Sequence, residues 1–188
     1  MFAHEAGLAE KIIVEHQETS PTRSNSEVFA SNPLGKVHVL LRPGQSSLFD
    51  SSVICRYLDT LHQMASFYPN DPERLWGALR LEALAQDMAQ AGIGVRWEAE
   101  RRPKHLRYPE LQAGYEVKLI ESYVWLEREL FWEEDLHIGH IALATTLDWL
   151  VFRGLPTFRS NTSLTRWFDD FAQRPSMRAT PLSGNTQD

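Results

Sequence analysis

The residues best suited to binding chemistry lie where a predicted strand ends and a helix begins. Leu48 and Phe49 end the strand, and Asp50, Ser51 and Ser52 open the helix. The backbone N–H groups of a first helical turn, together with a serine hydroxyl, form a place where an anion can bind. An acid followed by hydroxyl residues is also an ordinary N-cap, which on chemistry alone is the commoner use. The residue types therefore leave both roles open for Asp50 and Ser51.

A loop and a strand come before this helix. Residues 32–35, Asn-Pro-Leu-Gly, predict a tight turn, and Lys36 and Val37 follow it directly. The run 37–41 predicts a strand, and a Pro-Gly turn connects it to a short strand over 46–49. We therefore expect a β-hairpin that leads into the helix. Taken alone, Lys36 is typical of a solvated surface lysine.

The rest of the first third has mixed α and β character. The patterns predict a helix end over 1–8, a strand over 11–16, a loop over 18–31 and, after the hairpin, a helix over about 51–64. The strand over 11–16 is predicted from three consecutive β-branched residues, Ile12, Ile13 and Val14. A small α/β unit over residues 1–68 follows from these elements.

Beyond Pro69 and Pro72 the pattern becomes entirely helical. Apolar residues recur with helical spacing in four stretches, 73–100, 110–130, 138–152 and 164–172. The stretch 138–152 is apolar on all sides, which indicates a helix buried inside its domain. The sequence thus predicts an α+β protein of two domains, with an all-α domain over 73–182 and a polar tail over 183–188.

Composition excludes several classes of partner. The 188 residues carry a formal net charge of −6 and no long run of Lys or Arg, which argues against nucleic-acid and anionic-membrane surfaces. Residues 1–14 do not read as a signal peptide, and no segment reaches the length of a membrane span. Cys55 is the only cysteine, so no intrachain disulfide can form, and a cytoplasmic location is expected.

These motifs together resemble those of the glutathione S-transferase family. The loop-strand motif at 32–37 and the strand-helix motif at 48–58 are similar to the family's glutathione-binding elements. The stretch 141–150 is similar to its buried core helix, and 167–176 to its closing helix. The resemblance implies a thioredoxin-like N-terminal domain followed by an all-α helical bundle domain. It also implies a truncated N-terminal domain, because the family's first β-strand and part of its first helix have no counterpart.

The resemblance implies that four residues bind glutathione. The backbone of Val37 would pair with the cysteinyl part of the tripeptide. Asp50 and Ser51 would take the γ-glutamyl end while also capping the helix, and Lys36 would pair with the glycine carboxylate. Glutathione is then the co-substrate, and no metal is predicted.

The implied activity is conjugation of the glutathione thiolate to a small hydrophobic electrophile. The electrophile would lie near Trp97 and Arg101, which are equally plausible as surface or interface residues. A homodimer is expected, with Trp76 and its helical neighbours Leu75, Leu79 and Ala83 as an interface, although packing within the subunit would use the same residues. The alternatives are a non-catalytic family member that acts in binding or dimerisation, and a truncated inactive product.

Three features depart from the family pattern. His38 stands where the family has a proline after a cis peptide bond. Because a cis bond before a non-proline residue costs about 3 kcal/mol, we expect Val37–His38 to be trans. His137 and His140 replace the capping box of the buried helix, and their spacing alone is weak support for a metal site. No catalytic Ser, Tyr or Cys is identifiable by motif.

The missing strand would leave a gap between the predicted strands at 11–16 and 37–41. Unpaired buried ladder groups cost about 1–3 kcal/mol each. We therefore expect one of three outcomes: Met1 is an internal residue of a longer protein, the two strands pair directly, or the N-terminal unit is loose.

Overall fold

The computed structural model describes residues 1–129 and 135–184. The chain divides into two compact units, one built mainly from residues 2–66 and the other from residues 67–182. Two of the sequence predictions fall partly outside the described residues, namely the helix end at Leu130 and the tail beyond residue 184.

The first unit combines short helices with one hairpin. Its elements are α1 (Phe2–Glu5), α2 (Ser26–Ser31), β1 (Leu40–Arg42), β2 (Gln45–Leu48) and α3 (Ser51–Asp59), with a 3₁₀ turn over Ala9–Lys11. Its buried apolar side chains include Phe2, Ala6, Leu8, Val28 and Leu58. Helices α1, α2 and α3 thus each bury at least one apolar side chain.

The predicted strand over 11–16 is wrong. A 3₁₀ turn ends at Lys11, and residues 12–19 are irregular. Ile13 and Val14 are 89% and 87% exposed. β-branched residues favour a strand only where a neighbouring strand pairs with them and covers one face. Within the described residues the one sheet is β1–β2, so the alternative in which 11–16 pairs directly with 37–41 is also wrong.

The predicted hairpin is confirmed, although its first strand begins later than expected. β1 pairs antiparallel with β2, with Leu40 opposite Leu48 and Arg42 opposite Gln45. Gly44 takes a φ of 70° in the connecting turn, a conformation that glycine adopts without steric cost. Antiparallel pairing brings the residues before β1 and the residues after β2 to the same open end of the hairpin.

Helix α3 begins where the sequence predicts and ends earlier. Asp50 is its N-cap, because Asp50 Oδ1 accepts a hydrogen bond from the backbone N–H of Ser52 at 3.1 Å. The helix ends at Asp59, and the hydroxyl of Thr60 donates to the carbonyl of Tyr57 at 2.7 Å. The predicted end at about residue 64 is therefore five residues too late, because the apolar spacing continues past the end of the helix.

The second unit is helical throughout its described residues. Its helices are α4 (Pro72–Arg96), α5 (Pro109–Glu129), α6 (Ile138–Phe152), α7 (Thr162–Phe171) and α8 (Pro175–Ala179), with a π-helical segment over Trp97–Arg101 and a 3₁₀ turn over Lys104–Leu106. The bounds of α6 match the prediction, and nine of its residues are buried. None of the helices within the described residues is long and apolar enough to cross a membrane.

Helix α4 packs closely on α5 and α6 because two of its residues have no side chain. A Cβ at Gly92 would lie 2.7 Å from Leu150 Cδ2 and 2.8 Å from Trp149 Cζ3. A Cβ at Gly94 would lie 2.5 Å from the ring of Tyr115. The two glycines are therefore points of close helix contact.

A buried carboxylate fixes the connection between α4 and α5. Glu98 accepts hydrogen bonds from Arg102 Nε and Nη2 at 2.9 and 2.7 Å, and from the backbone N–H of Tyr108 at 2.9 Å. These bonds hold the pKa of Glu98 below its usual value, and the bond from Arg102 has a larger effect than the bond from Tyr108.

The N-terminus of α7 is capped by a side chain from another helix. Asn161 precedes α7 but makes no side-chain cap. Instead, Glu127 of α5 accepts hydrogen bonds from the backbone N–H groups of Ser163 and Leu164 at 3.0 and 2.9 Å. The N–H groups of Leu164 and Ser163 hold the pKa of Glu127 below its usual value.

The two histidines at the start of α6 lie together. His137 is at the N-cap position and makes no side-chain cap, as expected. Its ring stacks on that of His140 with centroids 3.7 Å apart. Across residues 1–129 and 135–184, no three or more His, Cys, Asp or Glu side chains are grouped so as to hold a metal ion.

Gly92→Ala is expected to lower the free energy of unfolding of the helical unit by about 1–3 kcal/mol, because the added methyl group overpacks a filled core. Gly77→Ala, in the same helix, is the matched control, since nothing lies within 4 Å of its Cβ position. Gly77→Ala should raise the free energy of unfolding of the helical unit by about 0.5–1 kcal/mol, because alanine has the higher helix propensity. Urea unfolding followed by circular dichroism measures both variants. Equal stability of the two would contradict the close-contact role of Gly92.

Glu127→Gln keeps one oxygen acceptor but loses the negative charge at the N-terminus of α7, so it is expected to destabilise the helical unit at neutral pH by about 0.3–1 kcal/mol. Folding lowers the pKa of Glu127, so its carboxylate contributes stability above the unfolded-state pKa. That contribution is lost as the pH falls through the folded-state pKa, and the difference between variant and wild type should shrink there.

Unfolding by urea at neutral and acidic pH tests this capping role. Glu121→Gln, which removes one negative charge from the exposed face of the same helix, is the control. A Glu127→Gln deficit that stays constant with pH would show that the charge of the cap is unimportant.

Candidate functional site

The four residues predicted to bind glutathione flank the open end of the hairpin. Lys36 and Val37 lie shortly before β1, and Asp50 and Ser51 follow shortly after β2. With Leu40 opposite Leu48, the chain leaves both strands at this end. The arrangement therefore places a cationic side chain, a strand-like backbone and a helix N-terminus at one end of one hairpin.

The loop before β1 is built on the buried side chain of Asn32, which is only 2% exposed. Asn32 Nδ2 donates to the carbonyl of Lys36 at 2.8 Å, and Asn32 Oδ1 accepts from the N–H of Leu34 at 3.0 Å. The N–H of Gly35 donates to the Asn32 carbonyl at 2.8 Å. One amide thus positions the backbone from residue 34 to residue 36.

Gly35 is required in this loop for two reasons. Its φ of +60° is a conformation that other L-residues rarely adopt, and a Cβ would collide with the ring of Phe29. Its carbonyl accepts a hydrogen bond from the hydroxyl of Thr19 at 2.8 Å. Phe29 and Thr19 thus both contact Gly35, and these contacts fix the loop just before Val37.

The expected trans bond at Val37–His38 is wrong, because the peptide bond is cis. The prediction weighed the local preference of a non-proline residue alone. Here the surrounding fold holds the chain in the geometry that the family resemblance implies at this position, although His38 replaces proline. A second cis bond, Phe49–Asp50, precedes α3 on the other side of the site.

Several polar groups of the site lack a protein partner within the described residues. Asp50 uses Oδ1 as the cap, and no hydrogen bond is formed by its second carboxylate oxygen or by the hydroxyl of Ser51. The backbone of Val37 is likewise unpaired there, and Lys36 is exposed without an ion pair. The helix dipole of α3 adds partial positive charge beside Ser51. These groups suit a ligand that carries peptide bonds, carboxylates and an amine.

Trp97 and Arg101, predicted to contact an electrophile, lie in the helical unit. They are the first and last residues of the π-helical segment that follows α4. Both are partly buried. Glu98 lies between them in sequence and Arg102 follows Arg101. The hydrogen bonds between these two side chains fix the backbone of the segment.

Three hydroxyl and thiol side chains of the first unit lie in different local settings. Ser20 accepts a hydrogen bond from the N–H of Arg23 in a turn, at 3.0 Å. Ser26 begins α2, and Cys55 is partly buried on α3. Each therefore has a structural setting of its own.

Sequence reasoning missed the importance of Asn32, which it treated as part of a simple turn. The available signal was an Asn before Pro, with Gly three residues later, because Asn side chains commonly hydrogen-bond the backbone two residues ahead. Burial of that amide was not predictable from local spacing.

Comparison with known proteins identifies the family. The family model described as "Glutathione S-transferase, N-terminal domain" matches residues 1–61. The uncharacterized GST-like protein YibF of Escherichia coli K12 is 28% identical over 151 residues, which are 78% of this chain and 74% of YibF.

Solved structures show the same relationship over almost the whole chain. A glutathione transferase family member from Pseudomonas fluorescens Pf-5, with bound glutathione, is 30% identical; the match covers 97% of this chain and 91% of that chain, with a TM-score of 0.90. A glutathione S-transferase from Methylobacillus flagellatus KT, with glutathione bound, is 25% identical over 96% of this chain and 91% of that chain, with a TM-score of 0.80. The fold is that of a thioredoxin-like unit followed by an all-α unit, and the chain belongs to the glutathione S-transferase family.

Proposed function

We propose that this protein binds glutathione and transfers its thiolate to a small hydrophobic electrophile. The observation that carries the proposal is the open end of the hairpin, where Lys36, Val37, Asp50 and Ser51 present unpaired polar groups. It gains support from the Pseudomonas fluorescens relative, which contains bound glutathione at 30% sequence identity.

Each part of glutathione has a chemical counterpart at this end of the hairpin. The backbone of Val37 pairs with the cysteinyl peptide in the manner of an added strand. Ser51 donates its hydroxyl and its N–H to the γ-glutamyl carboxylate, and Asp50 accepts from the γ-glutamyl amine. Lys36 balances the charge of the glycine carboxylate.

The transfer step needs a deprotonated thiol. The thiol proton leaves to solvent or a base, the sulfur electron pair forms a bond to the electrophilic carbon, and the leaving group departs with its electrons. Trp97 and Arg101 are our candidates for contact with the electrophile. A family member that binds glutathione without transferring it is the second candidate, because no described residue is assigned to stabilise the thiolate.

Ser51→Ala is expected to weaken glutathione binding about 10- to 100-fold, because a hydrogen bond to a charged group contributes about 1.5–3 kcal/mol. Asp50→Asn retains an oxygen that caps α3 but loses the charge that binds the amine, so it should weaken binding without melting the helix. Isothermal titration of glutathione into each variant measures the affinities, and circular dichroism checks that α3 is retained.

The exposed loop residue Ser24 provides the matched control, since Ser24→Ala should bind as the wild type does. Conjugation of glutathione to a chlorodinitrobenzene electrophile, followed by absorbance, then separates the two candidate functions. Binding with turnover supports a transferase, and binding without turnover supports the non-catalytic member. Wild-type protein with no measurable affinity for glutathione would refute both.

We also propose that the protein works in the cytoplasm, where glutathione is abundant and the lone Cys55 stays reduced.

We further propose that the protein is a homodimer. Trp76 on α4 is 63% exposed, and its helical neighbours Leu75 and Leu79 are partly buried. A large aromatic side chain left in solvent at this predicted interface position would be covered by a second copy of the chain.

Trp76→Glu is therefore expected to give a monomer, because a buried unpaired carboxylate opposes association. Val151→Glu, at an exposed apolar position on α6, is the control and should leave the dimer intact. Light scattering after gel filtration measures the mass of each variant. A wild-type protein that elutes as a monomer would contradict the proposed interface.

A further inference from the structure

The helical unit contains a cleft that the proposed glutathione site does not use. Its volume is about 320 Å³, and it is lined by the C-terminal end of α4 and its π-helical continuation, the first turns of α5 and residues 153–156 after α6. Ligand-binding clefts typically begin at about 300 Å³. All of its lining residues belong to the helical unit, whereas Lys36, Val37, Asp50 and Ser51 belong to the other unit.

Arg96 lines this cleft with a guanidinium group that is mostly buried. Its side chain is only 15% exposed, and its Nε–H is buried without a hydrogen bond to any described residue. Glu100 Oε2 lies 3.5 Å from Arg96 Nε, close enough for an ion pair but outside good hydrogen-bond geometry. A buried guanidinium donor without a full hydrogen bond is stabilised by an additional acceptor near the group.

Arg153 brings a second guanidinium to the same cleft. Burial lowers the pKa of Arg96 from its ordinary value, and the positive charges of Arg101 and Arg153 lower it further. Glu100 acts in the opposite direction without cancelling these effects. An anion near Arg96 and Arg153 would relieve this repulsion between like charges.

The remaining walls limit the charge and shape of a ligand. Glu100 and Glu116 also line the cleft, and Glu116 accepts a hydrogen bond from Gln112 at 2.8 Å. Two carboxylates disfavour a ligand with several negative charges. Leu155 and Val95 supply apolar surface for a small hydrophobic body.

The wall formed by residues 153–156 is fixed by the core of the unit. The hydroxyl of Tyr123 donates to the carbonyl of Pro156 at 2.8 Å, and the N–H of Leu155 donates to the carbonyl of Leu150 at 3.0 Å. Tyr123 is fully buried. A wall held in this way keeps its shape without a ligand, so little ordering is needed on binding.

We propose that this cleft is a binding site for a small organic monocarboxylate, whose carboxylate is held by Arg96 and Arg153 and whose apolar body lies against Leu155 and Val95. The site is independent of glutathione.

The test uses the full chain labelled with ¹⁵N-arginine and observes the arginine Nε–H signals by NMR. The Arg96 signal is assigned by its loss in Arg96→Gln. Benzoate is the probe, and benzamide is its neutral control of nearly the same shape. We expect benzoate to shift the Arg96 signal to saturation and benzamide to leave it unchanged.

Variants then locate the site. Arg153→Gln should raise the dissociation constant of benzoate about tenfold or more, as expected for the loss of a hydrogen bond to a charged group. Arg166→Gln, an exposed arginine on α7, should leave it unchanged. Ser51→Ala should also leave it unchanged, so failure of the glutathione proposal would not affect this result.

Three outcomes would overturn the proposal. They are a wild-type protein with no saturable shift at Arg96, an equal response to benzamide, and unchanged benzoate affinity in Arg153→Gln. The first is independent of any variant, so the proposal is testable even if a substitution prevents folding.

Discussion

The hydrogen bonds of the Asn32 amide position the backbone that precedes β1 at the open end of the hairpin. Residues 36–39 have no ladder partner in the described part of the chain, so strand pairing does not hold them. One side-chain donor and one acceptor replace the ladder, with bonds to Lys36 and Leu34. Because the amide is buried, these bonds are not exchanged for water. The backbone at Val37 is thereby positioned while its own polar groups stay available.

The helical unit also uses side chains distant in sequence to bind backbone groups, both at helix ends and between helices. Glu127 caps a helix that begins 35 residues later. Glu98 binds the backbone ahead of α5, and the hydroxyl of Thr146 on α6 donates to the carbonyl of Ala85 on α4 at 3.1 Å. Polar contacts between helices thus accompany the close packing that Gly92 and Gly94 permit.

The sequence predicted best where the decisive interactions are local. Helix α6 was located to its terminal residues because its apolar run has clear limits, and the hairpin followed from its Pro-Gly turn. The strand over 11–16 failed because β-branched residues need a partner that spacing cannot supply. The prediction of a trans Val37–His38 bond was wrong because it used only the local preference of a non-proline residue. The Asp50 cap was predictable from type and position, whereas the Glu127 cap joins residues too far apart for any local pattern.

The solvent-exposed segment that contains Ile13 and Val14 affects how the protein behaves in concentrated solution. These two side chains are almost wholly in contact with solvent, and no neighbouring strand covers their main chain within the described residues. Three consecutive β-branched residues without a covering strand favour edge-to-edge pairing with a second copy. Lys11 and Glu15 flank the run, and charges at such positions oppose that pairing.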